Sequence, residues 1–168
     1  GGATPRIGMV FQQSNLMPWR TAMSNIMLPL ELAGARGNLA RRRADEMIQL
    51  VGLRGFEESL PRELSGGMAQ RVAIARALAT DASVLIADEP TASLDERHQL
   101  IVMDLLQRIA HEGAAVLAII HDLALAMRFA DRVVVMDKGR IVANDTPVLA
   151  LTPERIAAME HAASQLDE

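Results

Sequence analysis

Three groups of residues in this sequence have the types and spacing to do chemistry on a phosphate. The first is Ser65-Gly66-Gly67, which opens a run from Leu64 to Ala79 that reads as a helix. Ser65 can accept from an orphan amide of the first turn. The two glycines leave the neighbouring N–H groups bare, and bare amides at a helix N-terminus attract anions. The second group is Asp88-Glu89, two adjacent carboxylates that close the apolar run Val84 to Ala87. One carboxylate there can hold Mg²⁺ through water, and the next can orient or deprotonate an attacking water. The third group follows two other apolar runs: Gln12 behind Ile7 to Phe11, and His121 behind Ala114 to Ile120. An amide or a neutral imidazole can bond a phosphate oxygen, a metal or a water. Each feature alone has a plainer reading: a capped helix, a solvated turn, a loop amide, a turn histidine. Their combination in this order places polar groups behind three strands, at the edge where open α/β sheets keep their ligands.

The elements that must position these residues are legible in outline. Ile7 to Phe11 and Val84 to Ala87 read as short buried strands, and Ala114 to Ile120 as a third. Ala22 to Leu32 reads as a helix, with Pro29 as a kink or an end. Asn38 is a candidate cap for a helix to about Val51, ended by Gly52. Three cations in its first turns, Arg41 to Arg43, read as a solvated face opposed to the helix dipole. Ser93-Leu94-Asp95-Glu96 has the pattern of a capping box, before a helix to about His111 with Leu100, Ile101, Leu105 and Ile109 at helical spacing. His98 and His111 read as surface histidines. A helix from about Leu123 to Ala130 follows. Lys138-Gly139 reads as the turn of a hairpin between Arg132–Asp137 and Arg140–Asn144. Thr146-Pro147 and Thr152-Pro153 each read as an N-cap followed by an N1 proline. Strand, helix, strand in this order predicts a parallel sheet with right-handed crossovers.

The stretch LSGGMAQR, then VLIADE, SLD and His121, resembles the signature motif, Walker B motif, D-loop and switch histidine of ATP-binding-cassette (ABC) ATPases, and Gln12 resembles their Q-loop glutamine. The resemblance runs from about Ile7 to Ala143. It implies an α/β fold of the P-loop NTPase type, with a parallel sheet flanked by helices and a helical signature subdomain. Residues 20–80 would form that subdomain, 1–19 and 81–145 the core, and 146–168 a helical tail of one partial domain. It implies ATP and Mg²⁺ as cofactors. Asp88 and Gln12 would serve the metal, and Glu89 and His121 the hydrolysis. Ser65, Gly66, Gly67, Gln70, Gln12 and Asp95 would serve nucleotide binding, with Asp95 bridging a dimer. The implied partners are a second ATP-binding subunit, membrane-spanning permease subunits and a substrate-binding protein, at the cytoplasmic face of the cell membrane. The implied function is the ATP-binding subunit of an importer. A degenerate cassette that contributes only its signature face, or a soluble ABC ATPase outside transport, are the alternatives. Leu16-Met17-Pro18-Trp19 resembles the nitrate, sulfonate and taurine importers, whereas DEPTASLD resembles phosphonate, peptide and lipoprotein systems. Trp19, the only tryptophan, is either locally packed or an interface anchor for a permease subunit.

One part of such a site is missing from these residues. The P-loop pattern G-x-x-x-x-G-K-[ST] does not occur, and the only lysine, Lys138, follows Asp137 rather than glycine. The expectation is a fragment of a longer domain whose central P-loop strand is missing, leaving a gap in the sheet. Composition narrows the rest. At 168 residues and 50% hydrophobic content, one domain with a real core is expected. A net charge of −4 gives no basic footprint for nucleic acid. Cysteine is absent, so there is no disulfide or thiolate site.

Overall fold

The computed structural model describes residues 6–35 and 37–164, with side chains through 158. The chain forms two compact units, one ending at Ile120 and the other beginning at His121.

The first unit holds a parallel three-stranded sheet in the order β1 (Ile7–Val10), β2 (Val84–Asp88), β3 (Ala115–Ile119). Met9 pairs with Ile86 and Ile86 with Leu117, so the three C-terminal ends lie in register. The short strands expected to be buried are fully covered on one face only, and β2 is half-buried on the other. Gly8, Val10, Leu85 and Ala87 are buried on one face, while Ile7, Met9, Leu117 and Ile119 on the other are exposed. A short apolar run alone does not distinguish one covered face from two. Among the described residues β3 is an edge of this sheet.

Helices α1 (Ala22–Leu32), α2 (Asn38–Leu50) and α3 (Gly66–Leu78) pack on one another, and α3 also packs on β1. This contact explains Gly8. A Cβ added there would lie 2.6 Å from the Ala77 carbonyl oxygen, so strand and helix meet at backbone distance. Gly8→Ala is therefore expected to destabilise the protein by about 1–3 kcal/mol, the usual cost of overpacking. Urea unfolding followed by circular dichroism should show a lower midpoint at an unchanged slope.

Several caps differ from the sequence reading. α1 begins at Thr21, whose hydroxyl accepts from Ser24 N, and continues through Pro29 to Leu32. Asn38 does not cap α2. It is the first helical residue, behind Gly37 at φ 63°, a conformation that favours glycine. The helix relies on packing: Ala40, Ala44, Met47 and Ile48 are buried, and Arg43 reaches Asp81 at 2.6 Å and Glu46 at 2.8 Å. Arg43 is thus a tie between α2 and the end of α3, not only part of a solvated face. Ser93 does not start a capping box. Asp95 caps α4 (Glu96–His111), whose buried stripe is Val102, Met103, Leu105, Leu106 and Ile109.

The second unit contains α5 (Leu123–Phe129), capped by Asp122 accepting from Ala124 N at 2.8 Å and Leu125 N at 3.0 Å. An antiparallel hairpin of β4 (Val133–Asp137) and β5 (Arg140–Asp145) follows. Lys138 and Gly139 both have positive φ, as its two-residue turn requires. Helices α6 (Pro147–Ala150) and α7 (Pro153–Ser164) each start at a proline, as expected. No helix of the described residues is long and apolar enough to cross a membrane.

Candidate functional site

The sheet register brings Gln12, Asp88 and Glu89 to one edge. Asp88 is the last residue of β2, opposite Ile119, and Gln12 lies exposed two residues beyond β1. Glu89 turns the chain. Its φ is 44°, its N–H donates to the Ile119 carbonyl at 3.0 Å, and its carbonyl accepts from Ala92 N at 3.2 Å. A left-handed glutamate is uncommon and costs conformational energy, which the surrounding contacts must offset. Pro90 beside it is fully buried, so the corner has little freedom. Behind β3, His121 follows by two residues in sequence and is exposed as the first residue of the second unit.

The donors at this edge are hard oxygens: the Asp88 carboxylate, with the Gln12 amide beyond the neighbouring strand. Such a set fits Mg²⁺, which keeps several waters and takes one or two carboxylates together with nucleotide phosphates.

A second cluster forms around the start of α3. Ser65 is the N-cap, and its hydroxyl accepts from Met68 N at 3.3 Å. Ser65 and Gly66 are exposed, and the first N–H groups of a helix have no intrahelical acceptor. Gly67 is buried, and the reason is His98. An added Cβ at Gly67 would lie 2.5 Å from His98 Cδ2. At Gly66 the same test meets Leu94 Cδ2 at 3.5 Å, an ordinary contact. The turn from β2 to α4 therefore packs directly on the signature turn. Asp95 closes that turn, with Oδ1 accepting from His98 N at 3.0 Å and Oδ2 lying 2.7 Å from His98 Nδ1. The backbone N–H of His98, then its side chain, hold the Asp95 carboxyl below the usual carboxylate range.

Gln70 differs from its expected role as a nucleotide ligand. Its side chain is 3% exposed, and Nε2 donates to the Phe11 carbonyl at 3.0 Å. It fixes the backbone that presents Gln12. One and a half turns on, Arg76 donates to the Ser14 and Asn15 carbonyls, each at 2.8 Å. From α1, the fully buried Asn25 accepts from Met17 N at 2.8 Å and donates to the carbonyls of Met17, Arg20 and Thr21. The loop from Phe11 to Thr21 is thus gripped along its length by side chains of α1 and α3. Losing Asn25 would leave buried backbone groups unsatisfied, at about 1–3 kcal/mol each. The grip holds Trp19 outward, 74% exposed, which overturns local packing as its explanation. Arg71 donates to the Val51 and Gly52 carbonyls at 2.9 and 3.2 Å, closing the end of α2 from the signature helix. Burial lowers the pKa of both arginines.

Sequence reasoning missed the roles of Asn25, Arg76 and His98. For Arg76 no local pattern gives a signal, because its partners lie in a separate element; for His98 the i, i+3 spacing from Asp95 is a local signal of the hydrogen bond, whereas the packing on Gly67 is not. Asn25 stands in the first turn of α1 on its buried side, and a buried asparagine there must find partners.

The profile of the ABC transporter family matches residues 3–92, more than half of the chain. The methionine import ATP-binding protein of Geobacillus kaustophilus is 45% identical over 141 residues, covering 83% of this chain and 41% of that protein. Its counterpart in Rhodospirillum rubrum is 47% identical over 137 residues, covering 81% and 39%. The chain therefore spans about two-fifths of the length of these relatives. Their names fall in neither importer group that LMPW and DEPTASLD resemble. A dimeric post-hydrolysis ATP-binding cassette bound to ADP and Pi superposes with a TM-score of 0.72 at 36% identity, covering 85% of this chain and 63% of that one. A dimeric bacterial ABC transporter cassette superposes equally well at 38% identity, with the same coverage. With a signature turn, an acidic strand corner and matching relatives in sequence and structure, the chain belongs to the ABC transporter family.

Proposed function

We propose that these residues are part of an ATP-binding subunit that powers import across a membrane, as two copies closing on two ATP molecules. The observation that carries the reading is the in-register sheet edge with Gln12, Asp88 and the strained Glu89. Asp88 would hold Mg²⁺, with Gln12 beside it. The metal, when bound, neutralises charge on the β- and γ-phosphates. Glu89 would accept a proton from the attacking water, and His121 would bond the γ-phosphate or that water. Ser65, Gly66 and Gly67 would present the open turn of α3 to the γ-phosphate held by the other subunit, because a helix N-terminus favours an anion. Asp95 would bridge the two subunits. Gln70 and Arg76 would support Gln12 through the loop backbone. The phosphate cradle and its lysine would come from a segment outside these 168 residues.

Trp19 would anchor a membrane-spanning permease subunit, as an exposed aromatic on a rigidly gripped loop. The subunit would then lie on the cytoplasmic face of the membrane, and a substrate-binding protein would deliver cargo. The names of the relatives make methionine the first cargo to test.

Trp19→Ala tests this reading in the complete protein. ATP hydrolysis without permease should stay within about 2-fold, because nothing in the acidic corner changes. Permease binding should weaken by about 10-fold or more, the scale of losing an aromatic hot spot, and uptake into vesicles should fall with it. Unchanged permease affinity would rule out the loop as the docking site.

A further inference from the structure

We infer that His98 is a positioning residue that locks the first turn of α3 to Asp95, so that the signature amides and the Asp95 carboxylate meet a partner subunit's nucleotide as one rigid face. The inference rests on the roles proposed above for Gly66, Gly67 and Asp95, and adds the part that fixes the distance between them.

Two contacts of one imidazole carry it. The side chain packs against Gly67, where an added Cβ would fall 2.5, 2.8 and 2.9 Å from the His98 Cδ2, Cγ and Cβ atoms. Its Nδ1 lies 2.7 Å from Asp95 Oδ2, while the backbone N–H of the same residue donates to Oδ1 at 3.0 Å. An ionised carboxylate only accepts, so Nδ1 carries the proton and donates. Both carboxylate oxygens are thereby held by one residue, and the carboxylate keeps a single orientation. The side chain of His98 is 30% exposed against 66% for Asp95, so the ring is the covered member and the carboxylate the presented one.

The residue type follows from these two demands. The site needs a group that fills the space against a glycine, and a donor that reaches back three residues along the chain. Alanine supplies neither, and asparagine supplies the donor. Gly67 is then glycine for a reason beyond open amides: any side chain there displaces the ring and with it Asp95.

The test uses the complete, dimer-forming protein with His98→Ala, His98→Asn, Gly67→Ala and the double variant Gly67→Ala/His98→Ala. His98→Ala should lower kcat about tenfold, the scale of one hydrogen bond to a charged group, with the KM for ATP unchanged, since the protein's own phosphate cradle is untouched. His98→Asn should recover to within about 3-fold, because its amide can take the place of Nδ1–H toward Asp95. Gly67→Ala should be impaired with His98 present and partly relieved by His98→Ala, which removes the ring atoms at 2.5 and 2.8 Å and leaves only the Cβ at 2.9 Å. An unchanged kcat in His98→Ala, equal losses in His98→Ala and His98→Asn, or a Gly67→Ala defect indifferent to His98 would each overturn the lock. Hydrogen exchange at the Met68 amide, the signature-turn N–H that Ser65 Oγ accepts at 3.3 Å, supplies a readout in the nucleotide-free protein that is independent of hydrolysis. Exchange should quicken about tenfold in His98→Ala and stay near wild type in His98→Asn. A wild-type protein without ATPase activity would refute the function proposed above, while the exchange result would still decide the lock.

Discussion

Glu89→Gln in the complete protein is expected to slow Mg-dependent ATP hydrolysis by about 10²–10⁴, the usual scale for losing a positioned general base. The structure makes this a clean substitution. The conformation of residue 89 is set by its backbone, through the Ile119 carbonyl at 3.0 Å, the Ala92 amide at 3.2 Å and the buried Pro90 that follows. Glutamine has the same shape and a similar tolerance for φ 44°, so the corner should survive. What is lost is the capacity to accept a proton from water, because an amide oxygen is a far weaker base than a carboxylate. Asp88 remains to hold the metal, so nucleotide affinity should stay within a few-fold of wild type. Phosphate release at saturating ATP, measured beside equilibrium nucleotide binding, separates the two effects. Turnover within a few-fold of wild type would remove Glu89 from the role of catalytic carboxylate.

The chemistry of this chain was more legible in sequence than the supports beneath it. Ser65 and the glycines announce a helix start, and Val84 to Asp88 announces a strand closed by carboxylates, because those signals lie within a few neighbouring residues. The supports are contacts between residues distant in sequence. Gln70 reads as part of the signature motif and in fact donates to Phe11, 59 residues away. Arg76 reaches Ser14 across 62 residues. His98 looks like a surface residue of α4 until α3 is packed against it. The cap of α2 was misplaced for a related reason. Asn38 has the chemistry of an N-cap, but Gly37 takes the positive φ that turns the chain into the helix. The exposed face of the sheet was also hidden, since Ile7, Met9, Leu117 and Ile119 are apolar like their buried neighbours.

These supports converge on α3. The helix touches β1 at backbone distance through Gly8, grips the Gln12 loop with Gln70 and Arg76, closes α2 with Arg71 and carries the signature turn. A displacement of the Trp19 loop therefore has a direct mechanical route to the signature amides through hydrogen bonds to one rigid helix. If a permease docks at Trp19 as proposed, α3 would link that contact to the signature turn.

The 168-residue chain by itself is expected to release no phosphate from ATP, yet to restore hydrolysis to a complete cassette whose own signature turn is blocked. The first half follows from the absence of the P-loop pattern in these residues. The second follows from α3, whose capped first turn, with Gly66 exposed, is built wholly from residues within the first unit. The blocking residue has to add charge without disturbing the fold, and the structure selects Gly66 over Gly67. A side chain at Gly67 collides with His98, whereas one at Gly66 meets only Leu94 at an ordinary 3.5 Å. Aspartate at a helix N-terminus also favours the helix, so Gly66→Asp should leave α3 formed. Toward a γ-phosphate it is repulsive: two unit charges about 4 Å apart at an effective dielectric of about 20 cost about 4 kcal/mol. That is about a thousandfold in rate. A complete cassette carrying aspartate at the matching position should therefore be nearly inactive alone and regain hydrolysis at its own P-loop when mixed with the wild-type chain. The chain carrying Gly66→Asp should give no rescue at equal concentration, with circular dichroism showing that it is folded. Equal rescue by both versions would show that the chain contributes something other than its signature turn.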